Sequence, residues 1–269
     1  MVIVKSGGHE WAMDGYLHGN LMKVKELLKR DWDVPFVVDG IEGGGKSVLS
    51  MQMCKVVDPT FDLSKVCFKA EQLLDAIKIA KPFTALMFDE AYQGLSSRAS
   101  MTETNRTIVS TMAEIRQKNL FVVFVLPTFF DLDRNIALWR TRALIHVYTG
   151  ENLARGRFMF FNNKKKILLY SMGKKFYSYN KPAADFIGSF NDTYIIDKNE
   201  YKKLKHKALI ESAQIKKQMK AEVYAKYYKK LLIGCKETLG LSTYKVGELM
   251  DCSRDTIKDH YTKMAKGIL

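Results

Sequence analysis

The chain has 269 residues, of which 47% are hydrophobic, enough to build a sizeable core and to argue against intrinsic disorder. Its formal net charge is +14. Most of that charge lies in residues 164–269, where 23 Lys and Arg face 11 Asp and Glu, a balance of +12. This asymmetry indicates an anionic partner for the C-terminal part, either nucleic acid or a membrane surface.

Strand and helix patterns alternate along the first 150 residues. An amphipathic helix is predicted over residues 20–30, followed by the apolar strand Val34–Val38, which runs into a glycine-rich stretch. Continuous apolar strands between helices predict an α/β fold with a mainly parallel sheet covered on both faces. The further strands are predicted over residues 65–68, 84–88, 120–126 and 144–148, and the further helices over residues 47–57, 71–80 and 97–118.

The chain changes character after residue 150. Residues 158–161 and 167–170 are predicted to pair as a β-hairpin across the turn NNKKK, which is also a candidate DNA-contacting loop. A lysine-rich helical stretch begins near residue 198 and leads into a compact helical segment. We therefore predict a first domain over residues 1–197, with its core at 34–150 and a hairpin extension at 151–197, and a basic helical tail over residues 198–269.

Several protein classes are disfavoured by what the sequence lacks. Four cysteines lie far apart, without a C-x-x-C pair, which predicts reduced thiols and argues against a zinc site. The N-terminus does not have the charged and apolar regions of a signal peptide. The longest apolar run, from Leu120 to Leu126, is too short to span a bilayer. We therefore expect a soluble, cytoplasmic protein without a membrane span.

The stretch DGIEGGGKSV has the spacing Gly-x-x-x-x-Gly-Lys-Ser, with a predicted strand before it and a helix after it. This context is that of a P-loop, or Walker A motif, whose backbone N–H groups surround a phosphate at a helix N-terminus. Lys46 is predicted to neutralise the β- and γ-phosphates, and the Ser47 hydroxyl to ligate Mg²⁺. The residues predicted to contact the nucleotide are Gly40, Gly43, Gly44, Gly45, Lys46, Ser47 and Val48.

A second motif follows the strand predicted at residues 84–88. Asp89 and Glu90 come directly after its apolar residues, which resembles a Walker B motif. Asp89 is predicted to hold the Mg²⁺ shell through water, and Glu90 to polarise the attacking water as general base. Because a positioned water favours hydrolysis, the pair argues against a small-molecule phosphotransferase.

The strand at residues 120–126 leads to Thr128, and three arginines follow soon after. By resemblance to P-loop ATPases with an extra strand between the two Walker strands, Thr128 would sense the γ-phosphate; an ordinary threonine at a strand end is the alternative. Arg140 and Arg142, ahead of Arg134 and Arg116, are candidates for an arginine finger that acts on a neighbouring subunit. Surface ion pairing is the alternative for these arginines.

Residues 34–150 resemble the ATPase core of the FtsK/HerA superfamily of RecA-like motors. The resemblance is carried by the two Walker motifs, by the helix ending EIRQKN, and by the strand that leads to PTFFDLDRNIALWRTRA. Within the superfamily, the segment is most similar to zonular-occludens-toxin-like and viral genome-packaging ATPases. This resemblance implies an Mg²⁺-dependent ATPase that uses ATP, assembles as a homo-oligomeric ring and threads DNA.

The basic tail contains two candidate DNA-binding elements. Residues 198–233 place lysines along a helical stretch with tyrosines interleaved, either as a solvated face or as a phosphate-contacting surface. Beyond it, Gly247 and Ile257 have the spacing of a helix-turn-helix, with Ser253 predicted to N-cap the second helix. The residues predicted to face double-stranded DNA are Arg254, Thr256, Lys258 and Lys263.

Two functions fit these motifs. The first is a DNA-translocating or DNA-packaging ATPase motor. The alternative is an ATP-controlled DNA-binding regulator of transcription, replication initiation or partition, in which the helix-turn-helix reads a defined site.

Overall fold

The computed structural model describes residues 1–89 and 114–265. The chain divides into two compact units, Met1–Lys205 and His206–Leu269. The helix predicted at residues 97–118 lies mostly outside the described residues, and residues 114–117 are helical. The domain boundary predicted at residue 197 stays a prediction.

Two sheets are formed by the described residues of the first unit. A small antiparallel pair is formed by β1 (Val2–Ser6) and β2 (His9–Met13), which the sequence patterns did not predict. The large sheet has seven strands: β3 (Phe36–Gly40), β4 (Val66–Cys67), β5 (Ala85–Phe88), β6 (Phe121–Val125), β7 (Ala143–Tyr148), β8 (Arg157–Phe161) and β9 (Phe186–Ser189). Their order is β4-β5-β6-β3-β7-β8-β9, and the first five strands of that order are parallel.

This sheet confirms the predicted α/β, RecA-like class. Strands β3, β5 and β6 are buried along their whole length, because helices cover both faces of the sheet. That double burial is why these strands have continuous apolar sequences. The carboxyl ends of β3 and β5 lie at the same edge, with β6 between them.

Besides residues 114–117, the helices described in the first unit are α1 (Gly15–Lys29), α2 (Lys46–Val57), α3 (Ala70–Ile79) and α4 (Asn163–Gly173), and α5 (Lys198–Ile233) begins in it. Helix α1 starts earlier than predicted because the Asp14 side chain caps it, accepting from the Leu17 N–H at 2.9 Å. Within the described ranges, no helix is both long and apolar enough to cross a bilayer.

The predicted hairpin at residues 158–170 is wrong in its second half. The Asn162 side chain accepts from the Lys165 N–H at 3.0 Å, which caps α4 and turns the NNKKK segment into a helix start. The partner of β8 is instead β9. The DNA-contacting loop predicted here is also wrong for Lys166, which is fully buried and donates to the Thr141 carbonyl at 2.8 Å.

The second unit contains α6 (Thr243–Leu249) and α7 (Arg254–Ala265), joined by a turn at Asp251 and Cys252. Helix α6 packs closely against this turn and the start of α7 at Gly247, where a Cβ would lie 2.7 Å from the Cys252 carbonyl oxygen and 3.5 Å from the Arg254 nitrogen. Ser253 caps α7 by accepting from the Thr256 N–H at 3.1 Å. The buried core of this unit consists of Leu232, Cys235, Val246 and Ile257.

Candidate functional site

The predicted P-loop joins β3 to α2 at the carboxyl edge of the sheet. Gly40 ends β3 with a φ of 133°, and a Cβ there would lie 1.8 Å from the Val147 carbonyl oxygen on β7. Gly45, with a φ of 99°, is the residue directly before α2. Both positions require glycine because of their positive φ values. The loop between them lies at the N-terminus of α2, which is the positive end of the helix dipole. Gly43 and Gly44 lie within the loop, and Val48 is buried in the first turn of α2.

The Lys46 side chain folds back onto this loop. Its ammonium donates to the carbonyl oxygens of Gly40 at 2.5 Å and Ile41 at 3.0 Å. These are neutral acceptors, and charge-assisted hydrogen bonds to phosphate oxygens are stronger. The lysine is therefore placed beside the position where a P-loop binds phosphate.

Asp89 faces Ser47 across the edge of the sheet. The Asp89 carboxylate directly follows β5 and is 1% exposed, and the Ser47 hydroxyl donates to its Oδ2 at 3.2 Å. A hydroxyl and a carboxylate are oxygen ligands of the kind that Mg²⁺ prefers. The donor set and the glycine loop therefore fit a Mg²⁺–nucleotide. Glu90, the predicted general base, lies outside the described residues.

Two residues of α5 also contact Asp89, and sequence reasoning missed both. The Tyr201 hydroxyl donates to Asp89 Oδ2, and the Lys205 ammonium lies 3.1 Å from the same oxygen. Burial raises the pKa of Tyr201, and the neighbouring carboxylate raises it further, so the phenol keeps its proton as a donor. Tyr201 lies 112 positions from Asp89 in the sequence, so no local pattern relates the two.

A second buried carboxylate lies immediately before the P-loop. Asp39 is 0% exposed; it accepts from the Phe129 N–H at 2.6 Å and from the Tyr179 hydroxyl, and lies 3.0 Å from His146 Nδ1. Burial, then the Asp39 charge, raises the pKa of Tyr179. The predicted sensor Thr128 joins this network, with its hydroxyl 3.2 Å from that of Tyr179. Thr128 is therefore linked to the strand that carries the P-loop, and its sensing role stays a prediction.

The predicted arginine-finger candidates lie away from this edge. The guanidinium of Arg142 is 3.6 Å from the Asp33 carboxylate and 5.1 Å from the centroid of the Trp32 ring. Because Arg142 precedes β7, and β7 runs parallel to β3, it lies at the amino edge of the sheet, opposite the P-loop. Arg140 is partly exposed two positions earlier. Neither is next to the P-loop of its own chain, and action on a neighbouring subunit stays a prediction.

The predicted DNA-contacting residues lie on one helix of the second unit. Arg254, Thr256 and Lys258 are exposed on α7, whereas Ile257 is buried. Lys263 is also exposed and forms an ion pair with Asp259 at 2.7 Å. The helix thus presents a polar, basic face, and its contact with DNA stays a prediction.

No family model matches the sequence, and no curated protein matches it. Solved structures that match include the genome packaging NTPase B204 from Sulfolobus turreted icosahedral virus 2 in complex with ATP-gammaS. That match has 15% identity and a TM-score of 0.36, and covers 50% of this chain and 94% of that chain. The N-terminal domain of zonular occludens toxin from Neisseria meningitidis matches with 16% identity and a TM-score of 0.39, covering 64% of this chain and 98% of that chain. These are the two kinds of protein to which the resemblance of residues 34–150 pointed.

Proposed function

We propose that this chain is an ATP-hydrolysing, DNA-binding motor that assembles as a homo-oligomeric ring and translocates or packages viral or plasmid DNA in the cytoplasm. The observation that best supports this proposal is the Ser47–Asp89 pair, with 3.2 Å between hydroxyl and carboxylate, beside a loop whose two ends, Gly40 and Gly45, require glycine. Strand β6 lies between the two strands that carry these motifs. This arrangement supports a hydrolase built on two Walker motifs.

The roles of the residues follow from their positions. The P-loop N–H groups bind the phosphates, and Lys46 exchanges the carbonyls of its own loop for β- and γ-phosphate oxygens. Ser47 and Asp89 would hold Mg²⁺, which, when bound, neutralises phosphate charge. Glu90 accepts a proton from the water that attacks the γ-phosphorus, while the bond to the β-phosphate oxygen breaks and ADP leaves. Thr128 contacts the γ-phosphate in this scheme, and Arg140 or Arg142 acts on the site of the next subunit.

The basic tail supplies the DNA-binding part of the proposal. Tyr224 and Tyr227 of α5 are 71% and 67% exposed, which leaves aromatic surface among the lysines of residues 198–233. Lysines on such a surface contact backbone phosphates without reading sequence. On α7, the exposed residues Arg254, Thr256 and Lys258 are the candidates for contact with double-stranded DNA.

The test is the steady-state ATPase rate of the full chain with and without nonspecific duplex DNA. We expect DNA to raise the rate about tenfold, which corresponds to ~1.4 kcal/mol of the activation barrier. Glu90→Gln should lower the rate by about a hundredfold or more while nucleotide binding persists. Lys46→Ala should weaken nucleotide binding itself. A slow rate that DNA does not change, with DNA binding intact, would contradict the motor.

The helix pair α6–α7 supports a second candidate, an ATP-controlled DNA-binding regulator. Gly247 lets α6 pack closely against the turn that leads into α7, and the capped second helix exposes Arg254 and Lys258. A regulator would bind one defined sequence far more tightly than random duplex and would hydrolyse ATP slowly. Competition between random and selected duplexes distinguishes the two functions, because a motor should show little preference.

A further inference from the structure

The start of helix α5 lies against the predicted metal-binding carboxylate, and none of the motifs accounts for this contact. Tyr201 is 3% exposed and packs its ring 5.7 Å from that of Phe68 and 6.3 Å from that of Tyr194. Its hydroxyl is thereby held against Asp89 Oδ2. Lys205, one helical turn further along, brings a positive charge to the same oxygen at 3.1 Å.

The two side chains differ in how firmly the fold holds them. The Tyr201 ring is fixed by its aromatic neighbours, so its hydroxyl can remain as a donor when the other carboxylate oxygen turns to a metal. The Lys205 side chain is 27% exposed and ends in a flexible ammonium, which can turn into solvent. A lysine and Mg²⁺ are both cations, and both are attracted to the carboxylate of Asp89. Their binding to Asp89 is therefore expected to be mutually exclusive or strongly antagonistic.

Building on the function proposed above, we propose that Tyr201 and Lys205 are further residues of the metal half of the nucleotide site, with opposite effects. Tyr201 is a positioning residue that orients the Asp89 carboxylate. Lys205 neutralises that carboxylate in the metal-free protein and gives it up when Mg²⁺–nucleotide is bound. The contact between Lys205 and Asp89 is therefore lost when Mg²⁺–nucleotide binds and is kept when nucleotide binds without Mg²⁺. In this way the first two turns of α5 respond to the metal.

The first experiment titrates Mg²⁺ into the full chain with a nonhydrolysable ATP analogue and no DNA, and follows binding by calorimetry. Lys205→Met should lower the Mg²⁺ concentration at half-saturation about fivefold, because a competing cation is lost. Tyr201→Phe should raise it about threefold, because the carboxylate loses its orienting donor. Lys29→Met removes an exposed lysine of α1 and is the matched control for net charge; it should leave the half-saturation point unchanged.

The Mg²⁺ concentration at half-saturation is expected to shift in opposite directions in the two variants, which a merely structural role of these residues would not produce. An unchanged or higher Mg²⁺ requirement in Lys205→Met would overturn it, as would weaker binding of the analogue in EDTA, which would make Lys205 a phosphate ligand. If both variants shift in the same direction, the assignment of opposite roles is wrong. If both variants bind the analogue normally and with unaltered Mg²⁺ dependence, this inference alone is overturned. If the wild-type chain fails to bind Mg²⁺–nucleotide, the proposed function is overturned as well.

Amide hydrogen exchange gives a readout that does not depend on affinity. In the wild-type chain, peptides that cover residues 201–205 should exchange faster after addition of Mg²⁺ with the analogue, and no faster with the analogue in EDTA. Lys205→Met should exchange fast in both conditions. Equal exchange in the wild-type chain with and without Mg²⁺ would overturn the proposal.

Discussion

Asp39 and Asp89 make an instructive comparison, because both are buried carboxylates at the same edge of the sheet, with strand β6 between them. Asp39 is 0% exposed and Asp89 is 1% exposed. Their partners differ. Asp39 is contacted by a backbone N–H and by two ring-bearing side chains that stack on each other at 3.6 Å, whereas the partners of Asp89 include two hydroxyls and a flexible lysine.

The partners of a buried charge, more than its burial, indicate whether it stabilises the fold or binds a ligand reversibly. Rigid partners cannot leave without disturbing the fold, so Asp39 serves to hold the P-loop strand, the Thr128 turn and β7 together. A flexible cationic partner can be exchanged for another cation, so Asp89 suits reversible metal binding. We therefore expect substitution to cost more stability at Asp39 than at Asp89.

The largest expected effect is that of Asp39→Ala. This change leaves the Phe129 N–H and the Tyr179 hydroxyl buried without their acceptor, and should lower the free energy of unfolding by about 3 kcal/mol. Urea denaturation measures it, with Tyr179→Phe as a milder companion that removes one hydroxyl only. A loss of stability at Asp39 no greater than that at Asp89 would contradict the structural role of Asp39.

Lys166 extends the comparison to a buried lysine with rigid partners. Burial, and then the nearby Arg142 charge, lowers its pKa from 10.5 to about 7. Between pH 7 and pH 10.5 the unfolded chain binds more protons than the folded chain. The free energy of unfolding therefore rises as pH rises through this range. We expect a gain of roughly 2 kcal/mol between pH 7.5 and 9.5 from this group. Denaturation of Lys166→Met against pH should show that gain reduced, and an identical pH profile would contradict it.

A smaller loss of stability is expected for Asp89→Ala. The Tyr201 hydroxyl loses its acceptor, but the Lys205 side chain is 27% exposed and its ammonium keeps contact with water, so the cost should be about 1.5 kcal/mol. Nucleotide should still bind through the P-loop in EDTA, and the increment that Mg²⁺ adds should disappear. Calorimetry with and without Mg²⁺ checks both expectations, and persistence of the increment would refute the assignment of Asp89 as the metal-binding carboxylate.

The smallest expected effect on stability is that of Thr128→Val, about 0.5 kcal/mol, because one partly buried hydroxyl contact is lost. If Thr128 senses the γ-phosphate, turnover should fall while affinity for ADP is unchanged. Steady-state rates and ADP titrations measure the two effects. Unchanged turnover would leave Thr128 as a strand-end residue that supports Asp39.

The sequence predicted those parts of the fold that depend on local patterns. Strands β3, β5, β6 and β7 are continuous apolar runs because both faces are covered, and the P-loop spacing marks the turn after β3. Strand β9 was missed because its sequence, FIGS, is short and contains glycine. The NNKKK segment was misjudged because the capping by Asn162 and the burial of Lys166 depend on distant partners.

The candidate site was likewise predictable only where a local motif marks its residues. Ser47 and Asp89 were assigned from motifs and lie within hydrogen-bonding distance. Tyr179 and Tyr201 were not found, because their contacts join positions more than a hundred residues apart, and nothing in the residues around them distinguishes them from other tyrosines. The one available signal was Asp39 itself, a carboxylate within an apolar strand, since such a charge requires buried donors.

The close approach of Gly40 to Val147 also affects how depleted substitutions in a mutational library of this chain should be interpreted. Any side chain at Gly40 meets the Val147 carbonyl at 1.8 Å, so all substitutions there should be depleted, even under a selection that requires only folded protein. Gly19, with no atom within 4 Å of its Cβ position, should tolerate most residues in the same library. Depletion at the first glycine of the loop is therefore not a signature of selection for phosphate binding, whereas Lys46 is a position at which folding and nucleotide binding are expected to score differently.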